Sequence, residues 1–138
     1  MEVHPYLSFE GRCEEALEFY RAALDAKVDM LMRFEESPDR AQHGQLPPGT
    51  ERKVLHASFL IGDSMLMASD GRCTGQARFG GIALSLTTAD DAEAAKRFAA
   101  LADGGEVRMP LAKTFFASSF GMVVDRFGIE WMVVTPTE

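Results

Sequence analysis

The chain has 138 residues, 46% of them hydrophobic and 25% charged, proportions that fit one globular domain and exclude a disordered chain. With 14 Lys and Arg against 21 Asp and Glu the net charge is −7, which leaves no general attraction for nucleic acid or an anionic membrane surface. No apolar run approaches the ~18 residues of a membrane span, and Met1-Glu2-Val3-His4-Pro5 lacks the basic-then-apolar opening of a secretory signal, so the expected location is the cytoplasm. Cys13 and Cys73 are too few for a disulfide scaffold and too far apart for a paired CxxC zinc site, so both are expected as free thiols.

Tyr6 to Phe9 reads as a short strand closed by Glu10-Gly11. A helix follows from Glu14 to Ala26, with Ala16, Leu17, Phe19, Tyr20, Ala23 and Leu24 at helical spacing and two acids in the first turn. Val28 to Phe34 reads as a strand, and Glu35 to Lys53, rich in Pro and Gly, as a long loop that holds His43 in solvent. Val54 to Ile61 and Ser64 to Ala68 form a hairpin across Gly62-Asp63, and Ser69 to Arg78 is a linker. The pattern then restarts. Gly81 to Thr87 reads as a strand, Thr88 with Asp91 as a helix-opening box, and Ala89 to Ala102 as a helix ending at Gly104-Gly105. Val107 to Thr114, Ser118 to Asp125 and Ile129 to Thr135 complete the strands, the last two joined by Arg126-Phe127-Gly128.

Each half therefore reads βαβββ, and the residues carry a trace of duplication. Leu7-Ser8 recurs as Leu84-Ser85, and Ala22-Ala23-Leu24 as Ala99-Ala100-Leu101, both at an offset of 77 (84 − 7 and 99 − 22). The two modules span about 1–70 and 79–138 of a single domain.

Several strings resemble the PhnB-like branch of the vicinal oxygen chelate superfamily. They are His4-Pro5-Tyr6-Leu7-Ser8-Phe9 with Glu15-Ala16-Leu17-Glu18-Phe19-Tyr20, then Val54 to Gly62, Leu66 to Asp70, and Asp125 to Trp131. The resemblance covers essentially the whole chain. It implies an α+β fold in which two βαβββ modules form a half-open, barrel-like sheet with the helices outside, as in glyoxalase I, fosfomycin-resistance thiol transferases, extradiol dioxygenases and bleomycin-binding proteins. It also implies a homodimer and a small-molecule ligand. The branch is often labelled a demethylubiquinone methyltransferase, yet no GxGxxG loop follows either first strand.

Metal-dependent members hold one divalent ion with a His or Gln on the first strand of each module and a Glu on the closing strand. By resemblance His4 falls on the first position and Gly81 on the second, while four residues past Gly128 stands Met132. Glycine has no donor, and a thioether suits a hard cation poorly, so a stoichiometric divalent metal is not expected. The fallback set is His4, His56 and Glu130, a 2-His-1-carboxylate combination. Against it stand ordinary roles: His4 in solvent, His56 as a structural histidine, Glu130 on an edge.

Eight methionines in 138 residues exceed what a core needs. Met65, Met67, Phe115, Trp131 and Met132 are the candidates for a pocket lining. Arg33, Arg72, Arg78 and Arg108 are candidates to grip an anion, with surface ion pairs as the ordinary alternative. The residues leave two main readings. One is a small-molecule enzyme of the superfamily, an isomerase, lyase, thiol transferase or dioxygenase; the other is a metal-free protein that sequesters an apolar compound. A regulatory subunit without a ligand is a third.

Overall fold

A computed structural model of the chain describes residues 1–38 and 46–137. The chain divides into two compact units, Met1–Ala77 and Arg78–Glu138. No helix among the described residues is long and apolar enough to cross a membrane.

The first unit runs β1 (Tyr6–Ser8), α1 (Cys13–Leu24), β2 (Lys27–Arg33), a 3-10 turn (Phe34–Glu36), β3 (Val54–Ile61) and β4 (Ser64–Ser69). Its open sheet has the order β1-β4-β3-β2, with β1 parallel to β4 and the other pairs antiparallel. The second unit runs β5 (Ala83–Thr87), α2 (Asp91–Ala102), β6 (Glu106–Ala112), β7 (Ala117–Val124) and β8 (Glu130–Pro136). Its sheet repeats the pattern as β5-β8-β7-β6, with β5 parallel to β8. Leu7 and Leu84 occupy the first strand of their units, and Leu24 and Leu101 are buried at the ends of their helices.

Glu14 and Glu15 in the first turn of α1 suit the positive end of the helix dipole. The helix stops at Leu24, two residues before the end that spacing suggests, because Asp25 adopts φ 55° and Ala26 N–H reaches back to the Tyr20 carbonyl. Under α1, Tyr20 stacks on Phe59 with ring centroids 6.2 Å apart, and Leu7, Ala57, Leu66 and Ala68 close the layer.

The opening of α2 differs from the sequence expectation. Asp90, not Thr88, is the cap: its Oδ1 accepts from Glu93 N–H at 2.8 Å. Thr88 is buried, and its hydroxyl pairs with that of Thr135 at 2.6 Å. Asp91 accepts from Ser118 and Ser119 at 2.6 and 2.7 Å, which holds its carboxyl below the usual range. Phe98, Leu101, Val123, Trp131 and Val133 are buried with α2, and Gly121 lies so near Phe98 that a Cβ there would meet the ring at 2.8 Å.

The stems of the long loop pair, with Phe34 N–H bonded to the Lys53 carbonyl at 3.0 Å and Glu35 N–H to that of Glu51 at 2.9 Å. His43 lies outside the described residues. The segment that reads as a plain linker is instead tied down on both sides. Asp70 is buried, with Oδ1 accepting from Gly11 and Cys13 N–H and Oδ2 from Val54 N–H. Glu10 accepts from Arg72 N–H and from the Thr74 N–H and hydroxyl.

Candidate functional site

Side chains alternate across a strand, so each sheet has one face under its helix and one free of it. In the first unit the helix-covered face carries Leu7, Ala57, Phe59, Leu66 and Ala68, and the register fixes what stands on the other. Tyr6 faces Met67, Met67 faces Ser58, Ser58 faces Met30, Leu60 faces Met65, and His56 faces Met32. Tyr6 reaches across β4 to bring its hydroxyl 3.1 Å from His56 Nδ1, with the two rings 5.6 Å apart. Ser58 Oγ lies 3.4 Å from Asp29 on the same sheet.

In the second unit Trp131, Val133, Val123 and Gly121 lie under α2, and the opposite parity carries Glu130, Met132, Met122 and Val134. Met109, Met122 and Met132 face one another in one row across β6, β7 and β8, and Ser85 continues that row on β5. Seven of the 8 methionines, all but Met1, therefore stand on helix-free faces.

Of the sequence candidates, Met65, Met67 and Met132 stand on these faces. Trp131 does not: it is 3% exposed, on the helix-covered side, and its indole N–H bonds Asp125. Adjacent residues of one strand point to opposite faces, so Trp131 and Met132 cannot line the same surface of the sheet. Phe115 is 97% exposed in the β6–β7 connection, edge-on to Phe116, which in turn packs edge-on against Phe120. Sequence reasoning passed over Met109, Met122 and Phe120, and it gave His56 no partner. The 77-residue offset that relates Met32 to Met109 was the available signal (109 − 32).

The residues do not fit the divalent centre that the superfamily resemblance implies. Gly81 precedes β5 at φ 79° and brings no donor, and Met132 presents a thioether between Ser85 and Met122. Of the fallback set, His4 Nε2 lies 3.2 Å from Glu2, His56 Nδ1 is engaged by the Tyr6 hydroxyl, and Glu130 stands at the start of β8. Among the described residues no group of three or more His, Cys, Asp or Glu could hold a metal ion.

Two of the four arginine candidates, Arg33 and Arg108, have acidic partners. Arg33 pairs with Glu14 at 2.7 Å and with the Arg52 carbonyl, an arrangement that lowers the Glu14 carboxyl, and Arg108 lies 3.7 Å from Glu106. Cys13 and Cys73 are free thiols. Burial, with Asp70 next in size, pushes both thiols up, so neither is an activated nucleophile.

Two four-stranded mixed sheets, each crossed by one helix, form a glyoxalase-like α+β fold. Residues 1–134 match the model of the 3-demethylubiquinone-9 3-methyltransferase family, and the chain belongs to that family. It is 35% identical to protein YjdN of Escherichia coli K12, over 96% of this chain and 94% of that one. Among solved structures it is similar to PA1353 from Pseudomonas aeruginosa, with 38% identity, a TM-score of 0.85 and coverage of 100% and 99% of the two chains. The putative 3-demethylubiquinone-9 3-methyltransferase PhnB from Bacillus cereus is 26% identical with a TM-score of 0.79, covering 98% and 99%. The fosfomycin resistance protein FosX of Mesorhizobium loti, 15% identical with a TM-score of 0.62 over 99% and 92%, shares the fold alone.

Proposed function

We propose that the chain binds a small organic molecule on the methionine-bearing, helix-free faces of its sheets, without a chelated divalent ion. The observation that supports this reading is the placement of seven of 8 methionines there, while Phe, Tyr, Trp, Leu, Val and Ala fill the layers under the helices. Thioether side chains are flexible and polarizable, which suits a surface that adapts to a ligand. The family description speaks of a methyltransferase. The turns after β1 and β5, Phe9 to Arg12 and Thr88 to Asp90, supply no glycine-rich loop to cradle a nucleotide-bearing methyl donor, and methyl transfer is not part of this proposal.

An enzymatic reading of the same site, with isomerase, lyase, thiol-transfer or dioxygenase chemistry, is favoured by one feature. The Tyr6–His56 hydrogen bond sets a proton-transfer group among the methionines of the first sheet. A homodimer in the cytoplasm belongs to the same proposal, and sedimentation is expected to give twice the 15.2 kDa chain mass.

The test uses the methionines as reporters. Aromatic and dicarbonyl compounds are titrated into protein labelled with 13C at the methionine methyls. The expected result is a saturable shift of signals from Met30, Met32, Met65 and Met67, or from Met109, Met122 and Met132, with Met1 unmoved. No shift with any compound, together with an unchanged melting temperature, would sink the reading.

A further inference from the structure

The helix-free faces of the two sheets both carry methionine rows but differ in their polar chemistry. Met32 faces His56 in the first sheet; Met109, 77 residues later (109 − 32), faces Met122 in the second. Tyr6 on the first strand of its unit faces Met67, and Ser85 on the first strand of the other faces Met132. Where the second sheet has a serine hydroxyl beside its thioethers, the first has a phenol hydrogen-bonded to an imidazole.

We infer that His56, held by Tyr6, is the polar anchor of the first sheet's helix-free face, and that its Nε2 donates to an anionic oxygen of an otherwise apolar ligand. The inference rests on the ligand-binding reading above and adds the ligand class, an aromatic or aliphatic carboxylate, phenolate or enolate. Nδ1 is engaged by the Tyr6 hydroxyl at 3.1 Å, and no described residue makes a hydrogen bond to Nε2. A phenol O–H is the stronger donor of the two groups and an imidazole lone pair the stronger acceptor, so the favoured arrangement runs from Tyr6 Oη to Nδ1. That arrangement puts the remaining imidazole proton on Nε2. Protonation of the ring leaves Nε2 a donor as well. Charge-assisted hydrogen bonds are the strong ones, which favours an anionic oxygen over a carbonyl. Met32 opposite His56, with Met67 opposite Tyr6, supplies the apolar surround that such a ligand's hydrocarbon part would cover. Tyr6 acts through His56 and is a positioning residue.

The experiment compares 2-naphthoate with 2-methylnaphthalene, two probes of one shape that differ in the anionic group, by methionine-methyl titration of the full chain. Wild type is expected to bind naphthoate at least tenfold more tightly. His56→Leu should erase that preference and keep the methylnaphthalene affinity within about twofold. His56→Gln, which retains an N–H donor and guards against a folding defect in the leucine variant, should keep part of it. Tyr6→Phe should weaken the preference and also move the 15N shifts of the His56 ring toward a mixture of tautomers, a change that loss of packing alone would not cause. Equal affinity of both probes in wild type, or a preference that survives His56→Leu, overturns the anchor and leaves the ligand reading standing. Binding of neither probe overturns the ligand reading and the anchor with it.

Discussion

The indole Nε1 of Trp131 donates to Oδ2 of Asp125 at 2.8 Å, and the other oxygen of that carboxylate accepts from Phe127 and Ile129 N–H at 2.9 and 3.1 Å. One buried carboxylate thus satisfies both the β7–β8 turn and the core tryptophan. Asp125→Ala leaves three buried donors without this acceptor, and the expected loss is about 3 kcal/mol, since each unsatisfied buried donor costs on the order of 1–3 kcal/mol. Urea unfolding followed by Trp131 emission measures it. A midpoint equal to wild type would contradict this account of the turn.

Gly121 is required for steric reasons. A Cβ at this position would lie 2.8 Å from the Phe98 ring and 3.0 Å from Leu111, so Gly121→Ala overpacks the contact between α2 and β7. The expected cost is about 1–3 kcal/mol. Adding Phe98→Leu should recover part of it, and a thermal-melt double-mutant cycle that shows strict additivity would count against the contact.

The two cysteines should differ in reactivity. Cys13 is fully buried, its backbone N–H bonds Asp70, and burial raises its thiol, whereas Cys73 is partly exposed. Under native conditions an alkylating reagent is expected to label Cys73 slowly and Cys13 only on unfolding. Asp70→Asn, which weakens the acceptor for Gly11, Cys13 and Val54 N–H, should speed labelling of Cys13. Equal rates for both thiols in the native protein would be inconsistent with these positions.

The Arg33–Glu14 pair gives a small pH dependence with a definite sign. Arg33 holds the Glu14 carboxyl below its ordinary 4.5, so the pair stabilises the fold at neutral pH and loses that contribution as pH falls below 4.5 toward the folded value. Glu14 keeps 60% of its side chain exposed, and solvent screening limits the effect to a few tenths of a kcal/mol. Wild type should exceed Glu14→Gln in stability at pH 7, and the gap should close near pH 3. A gap that widened on acidification would reverse the assignment.

Elemental analysis of the purified protein is expected to find no stoichiometric divalent ion, because Gly81 and Met132 remove two donors from the arrangement that the superfamily resemblance implies. If an ion is found, its retention after His56→Ala would rule out the His4, His56 and Glu130 set as its ligands.

The strand and helix order was legible in the chain because each element announces itself locally. Helical spacing from Ala16 to Leu24, the Gly62-Asp63 break and the return of Leu-Ser and Ala-Ala-Leu 77 residues on (84 − 7, 99 − 22) are short-range signals, and the βαβββ repeat follows from them. What faces what was decided elsewhere. A strand's parity tells that Trp131 and Met132 point apart, but not which of them lies under α2; that depended on Gly121 admitting the Phe98 ring on the Trp131 side. The cap of α2 moved from Thr88 to Asp90 because Thr135, 47 residues away, captured the Thr88 hydroxyl. Likewise the partnership of Tyr6 with His56 spans 50 residues and exists only because β4 pairs with both β1 and β3. Local propensity is written in the sequence, whereas a face, a cap rival or a hydrogen-bond partner is settled by strands that meet only after the sheet has formed.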